Sequence, residues 1–175
     1  MKKLLLLSLF AAVTLSASQS FAQDSKGYVG VSIGLAAPMG DLADAVDSGI
    51  ELGIINAGYR FNETWGATLN WGASGHVASD DDDITVGVGY LGIGPMISFG
   101  NLDIKPQYAF VSAVAEGYGE KVTVDADSGF ILGATYNFSL GGKWGIAANA
   151  DYLSYSADDV SESIFKLSVG VRYNF

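Results

Sequence analysis

The sequence predicts an all-β protein, an eight-stranded antiparallel up-and-down transmembrane β-barrel. Three observations carry that expectation. Apolar side chains recur at every second residue over most of the chain. The connections between those runs are alternately long and tight. The face opposite the apolar one is built of Gly, Ala, Ser, Thr and Asn, where a water-facing strand would carry Lys, Glu and Arg.

Each element follows from its alternation. The first strand sets Val29, Val31, Ile33 and Leu35 against Gly30, Ser32, Gly34 and Ala36. The second, residues 50–61, begins with Ile50, Leu52 and Ile54 on one face. It ends with Ala57, Tyr59 and Phe61 in the opposite phase, a one-residue slip that predicts a β-bulge. The third carries Trp65, Ala67, Leu69, Trp71 and Ala73. The fourth, residues 84–99, passes from Ile84, Val86, Val88 and Tyr90 to Leu91, Ile93, Ile97 and Phe99, which predicts a second bulge. The fifth, residues 102–114, sets Leu102, Ile104, Pro106, Tyr108 and Phe110 against Asp103, Lys105 and Gln107. Pro106 brings no N–H to the ladder, so irregularity is expected there. The sixth carries Phe130, Leu132, Ala134, Tyr136 and Phe138, and the seventh Trp144, Ile146, Ala148, Ala150 and Tyr152. The eighth carries Phe165, Leu167, Val169, Val171, Tyr173 and Phe175.

Residues 62–63, 100–101 and 141–142 read as tight turns between antiparallel neighbours. Residues 37–49, 74–83, 115–128 and 154–163 read as long loops. The tight turns therefore share one end of the barrel and the long loops the other.

Alternation alone does not say which face is buried. Glycine weakens a solvated strand, but small residues suit the inside of an eight-stranded barrel, and the bulky face suits lipid. Phe61, Trp65, Phe99, Phe138, Trp144, Tyr173 and Phe175 fall beside the tight turns or at the chain end, and so at one rim. Such a girdle belongs at a membrane–water interface. In hydrocarbon an open sheet edge costs several kcal/mol per unpaired backbone group, so the last strand must pair with the first.

Residues 1–22 read as a secretory signal peptide. Lys2 and Lys3 precede an apolar stretch, and Ser20-Phe21-Ala22 offers a cleavage site, leaving residues 23–175 as the barrel. The chain has no cysteine, which excludes disulfides and thiolate metal sites. Its net charge of −10 argues against nucleic acid as a partner.

The signal segment, the eight alternating strands, the loop alternation and the terminal Tyr173-Asn174-Phe175 resemble small outer-membrane proteins of Gram-negative bacteria. In architecture they are similar to OmpX-like proteins and the OmpA transmembrane domain. The stretch GYVGVSIGLAAPMGDLAD resembles the first strand and loop of the outer membrane β-barrel or porin family. That resemblance implies a place in the bacterial outer membrane, in contact with the lipid bilayer and lipopolysaccharide. It also implies that barrel-assembly machinery reads a C-terminal aromatic signal, here Tyr173 and Phe175.

Inward parity gathers Glu51, Arg60, Asp103, Lys105, Asp151, Lys166 and Arg172 in the lumen. Charges of both signs in a narrow interior are expected to pair and to plug it. The long loops hold Asp41, Asp44, Asp47, the run Asp80, Asp81, Asp82 and Asp83, then Asp125, Asp127, Asp158 and Asp159. This acidic crown keeps the loops solvated. It also suits divalent cations or cationic surface partners, with Asp80 to Asp83, Asp125 and Asp127 as weak metal candidates. An EF-hand is excluded, because the position that needs a bidentate Glu falls at Tyr136 in a strand. The single His, His76, is expected at a loop mouth without a catalytic set around it. No enzyme activity and no cofactor are expected. The expected role is structural or interactive, in envelope integrity or adhesion, performed by a monomer; the alternative is a narrow passive pore for ions or small solutes.

Overall fold

The computed structural model describes residues 26–125, 128–157 and 160–175, with the backbone alone at Asp82, Ala157 and Val160. The expected signal peptide, and Asp127, Asp158 and Asp159 of the acidic crown, lie outside the described residues.

The described strand segments are β1 (Gly27–Met39), β2 (Gly49–Arg60), β3 (Trp65–Ala78), β4 (Asp81–Phe99), β5 (Leu102–Gly117), β6 (Glu120–Asp125), β7 (Ser128–Gly141), β8 (Trp144–Ala157) and β9 (Val160–Asn174). A single turn of helix, α1 (Leu42–Ala45), lies between β1 and β2. The sheet runs β4-β3-β2-β1-β9-β8-β7-β5-β6, and the further pairing of β4 with β5 closes it into a ring. β6 and β7 share one stave: β5 pairs β7 below Ala109 and β6 above Ser112. The result is the closed eight-stranded up-and-down barrel that the alternation predicts. Its seam pairs β1 with β9 without a break from Tyr28↔Asn174 to Met39↔Ser163. Gly27 and Phe175 then exchange two backbone hydrogen bonds of 2.9 Å each.

Val31, Ile33 and Leu35 on β1, and Leu167, Val169 and Val171 on β9, stand on the outer wall. On the inner wall the seam is lined by small groups. A Cβ on Gly34 would collide with the Leu167 carbonyl oxygen, so only glycine permits the strands to curl that closely.

Phe61, Trp65, Phe99, Trp144 and Phe175 are exposed at the tight-turn rim, and Trp144 meets Tyr173 edge-on at 5.1 Å. A second aromatic band circles the wall further up: Trp71, Tyr108, Phe110, Phe130, Tyr152 and Phe165. Tyr173 and Phe165 are eight residues apart on one strand. At ~3.3 Å per residue and a tilt of ~40°, that separation spans about 20 Å of height. This is close to the ~25 Å apolar band of an outer-membrane barrel.

The bulge expected in β2 is present, as a register shift between Gly53 and Ile55 against β3. The second expected bulge is not. β4 keeps one register with β3 from Trp65↔Ile97 to Val77↔Thr85. The strand does not change phase there; its inner face changes character, and Val88 and Tyr90 point inward and are buried. They join Ala36, Ala109, Val111, Ile131, Leu153, Tyr155 and Ile164 in an apolar cluster inside the barrel. A small-residue bore is therefore correct for the tight-turn half only. The outer half is filled like the core of a water-soluble protein.

Three of the four expected long loops are largely strand. β3 continues to Ala78 and β4 begins at Asp81, so residues 74–83 form a hairpin rather than a loop. β5 reaches Gly117 and turns through Tyr118 and Gly119, both at positive φ, into β6. β8 and β9 pair as far as Ala157↔Val160. Beyond the membrane both faces of a hairpin meet water, so alternation fades although pairing persists.

Residues 40–48 are a true loop. Val46 bridges Ala78, the Asp47 amide donates to the Val77 carbonyl at 2.9 Å, and Leu42 packs on the interior apolar cluster. At Pro106 the expected irregularity lies on the β4 side. Pairing is continuous to Ile93↔Tyr108 and resumes at Ile97↔Ile104 in the same register. Across that gap Pro95 faces Pro106, and neither has an N–H to give.

Candidate functional site

The polar interior is the candidate site, and it is layered. In the tight-turn half, Asp103 of β5 is fully buried and serves as a hub. Arg60 Nη2 donates to its Oδ1 at 2.9 Å, and the Ser98 hydroxyl donates to the same oxygen at 2.7 Å. Asn137 Nδ2 donates to Oδ2 at 2.7 Å. Arg172 Nη1 stands 3.8 Å from Oδ2 and donates to Asn137 Oδ1. Arg172 Nε donates to Asn174 Oδ1 at 2.7 Å, and its guanidinium lies 4.2 Å from the Tyr28 ring centre. A carboxylate facing two guanidiniums and two neutral donors has its desolvation offset on every side.

The middle layer is neutral. Asn70 Nδ2 donates to Gln107 Oε1 at 3.1 Å. Thr135 Oγ1 donates to Asn149 Oδ1 at 2.8 Å, and Asn149 Nδ2 donates to Ser168 Oγ at 3.1 Å.

Above it lies a second charged layer. Lys166 Nζ is 3.7 Å from Glu51 Oε1 and 3.3 Å from the Tyr90 ring centre. The Tyr90 hydroxyl donates to the same Glu51 oxygen. Asp151 faces Lys166 directly across the β8–β9 ladder. Lys105 is buried but makes no ion pair among the described residues.

The seven inward charges thus divide into an Asp103 group and a Glu51–Lys166 group, with Asp151 beside the second and Lys105 paired with neither. Parity alone does not reveal Tyr28, Tyr90, Ser98, Asn137 and Asn174. Ser and Asn are the ordinary residues of this inner face, so nothing marks them. Tyr90 reads as lipid-facing from its bulk. The usable signal is position: Asn137 and Asn174 share the inward phase and the rim of Arg172.

His76 is in β3, not at a loop mouth, and is buried. One ring nitrogen is 2.9 Å from Ser74 Oγ and the other 2.9 Å from the Asp47 carbonyl oxygen. The ring thereby ties loop 40–48 to the wall, and both the His76 and Ser74 side chains are buried.

The acidic crown is dispersed. Asp80 and Asp83 are exposed in the β3–β4 hairpin, and Asp125 is exposed at the end of β6. Asp81 accepts from the Tyr118 hydroxyl and from the Asp83 amide. Those bonds hold the Asp81 carboxyl below its ordinary value, and the same carboxylate holds the Tyr118 hydroxyl above its own. Burial raises Glu162 above the ordinary carboxylate value, against the opposing hydrogen bond from the Leu42 amide. Among the described residues, no three His, Cys, Asp or Glu side chains come together as a metal-sized group.

Comparison with known proteins agrees with this architecture. The family described as the outer membrane protein beta-barrel domain matches residues 7–175. Neisserial surface protein A is similar at 16% identity and a TM-score of 0.67, over 85% of this chain and 97% of its own. A major outer membrane protein from Thermus thermophilus is similar at 14% identity and a TM-score of 0.58, over 87% and 100%. Ail, the attachment invasion locus protein of Yersinia pestis, aligns at 19% identity and a TM-score of 0.48, over 85% and 99%. No curated protein matches the sequence. The closed eight-stave wall, its aromatic bands and the family match over nearly the whole chain agree: the chain belongs to the outer membrane protein β-barrel domain family and is an outer-membrane protein of the Gram-negative type.

Proposed function

We propose that the barrel is a non-catalytic, membrane-anchored platform for surface contact, with a closed bore. The observation that carries this reading is the arm made by the outer end of β5 with β6. All six residues of β6 are exposed, and among the described residues its hydrogen-bonded neighbour is on one side only. The free edge offers backbone donors and acceptors to an extended segment of a partner. Val122 and Val124 supply apolar contact, and Glu116, Glu120 and Asp125 around Lys121 favour a cationic partner. With short turns toward the periplasm, as is general for such barrels, the arm projects outside the cell. Lipopolysaccharide surrounds the wall at the upper aromatic band, and Tyr173 and Phe175 serve as the assembly signal.

The test uses proteoliposomes carrying the refolded barrel and an extended lysine-rich peptide bearing a fluorophore. The intact barrel retains the peptide in low salt. Replacement of residues 118–125 by a two-residue turn lowers retention at least tenfold. Equal retention by the shortened barrel would overturn the reading.

A further inference from the structure

The interior charges do not balance locally. Glu162 stands at the outer end of the bore beside Leu42. Below it Arg60, Lys105, Lys166 and Arg172 face Glu51, Asp103 and Asp151, with Arg60 and Arg172 sharing Asp103 alone. The excess has a location. A cavity of about 20 Å³ lies in the tight-turn half, lined by Lys105, Arg172, Tyr28, Ser32, Asn56 and Asn149 among others, and by no carboxylate. Lys105 is 2% exposed and makes neither an ion pair nor a hydrogen bond among the described residues. Its stem and the Asp151 carboxylate both border Gly133, yet the two groups do not pair. Asp151 stands opposite Lys166 in the β8–β9 ladder without an ion pair to it, and its buried Oδ1 has no hydrogen-bond partner among the described residues.

Two further lining residues are donors with hydrogens to spare. Arg172 commits Nε to Asn174 and Nη1 to Asn137, and no described group takes its Nη2. Ser32 Oγ accepts from Asn56 Nδ2 at 3.1 Å, which leaves the serine hydrogen free. A buried ammonium without a paired counter-charge is costly in a narrow interior. A cavity of this size has room for one or two waters or one monatomic ion.

We propose that this cavity is a binding site for a single monovalent anion of chloride size, held by Lys105 and Arg172 with Ser32 and Asn56 as neutral donors. The anion gives Lys105 and Arg172 a shared counter-charge in the tight-turn half. Asp103, which holds Arg60 and Arg172, does not line the cavity, so it does not compete for Lys105. Sulfate or phosphate is excluded by volume, and a cation is excluded by the lining.

Bromide is the probe. Crystals of the refolded barrel grown in sodium bromide give an anomalous peak inside the cavity, within hydrogen-bonding distance of Lys105 Nζ. In detergent, exchanging sodium gluconate for sodium bromide at equal ionic strength raises the apparent melting midpoint saturably, by about 2–4 °C. The rise is absent in Lys105→Met. An empty or water-filled cavity in bromide crystals, bromide at surface lysines alone, or an equal rise in Lys105→Met would overturn the proposal. Should Lys105→Met fail to refold, the wild-type diffraction decides alone.

Discussion

Asp103 is the residue on which the tight-turn half depends. Four side chains converge on its two oxygens, and it is fully buried. Asp103→Ala would leave Arg60 and Arg172 facing one another without a counter-charge. Removing one partner of a buried ion pair costs about 3–5 kcal/mol. Urea unfolding of the barrel refolded into lipid vesicles is expected to show a loss of that size. A loss below about 1 kcal/mol would mean that water, not Asp103, carries the two guanidiniums. The identity of this hub was legible in the sequence only as parity: Asp103, Arg60 and Arg172 fall in the inward phase. Which pairs would form was not, because pairing depends on barrel stagger, and stagger is set by registers that alternation does not encode.

At the level of the element, β9 is a clean test of orientation. Leu167 lies opposite Leu35 on β1 and Ala150 on β8, on the outer wall between the two aromatic bands. Leu167→Arg places a charge inside the apolar band, two residues below its upper aromatic edge, where the expected cost is about 1–3 kcal/mol by the same vesicle unfolding measurement. A neutral result would contradict the lipid-facing assignment. The stretches of β9, β8 and β3 nearest the tight turns were readable because there each keeps its large apolar side chains out and small or polar ones in. β4 was not, since its upper half inverts that rule: Val88 and Tyr90 fill the bore while Gly87 and Gly89 take the outer face. A pattern reader sees a phase slip, whereas the backbone runs straight. The hairpin ends of β3, β5 and β8 read as loops for a related reason, since water on both faces removes the contrast on which period-two reading depends.

For the molecule as a whole, the proposed closed bore rests on two layers: the outer apolar cluster with loop 40–48 at one end, and the Asp103 group at the other. Single-channel recording in a planar bilayer is expected to show no steady conductance. Reproducible steps, abolished by changing Arg172 or Asp103, would instead favour a narrow pore. The wall is stitched less evenly than it is filled. Opposite the unbroken seam of β1 and β9, Pro95 and Pro106 face each other across the gap between β4 and β5. Under mechanical load the cylinder therefore has a built-in tear line, and it would open there into a single curved sheet of eight staves, still joined through β1 and β9.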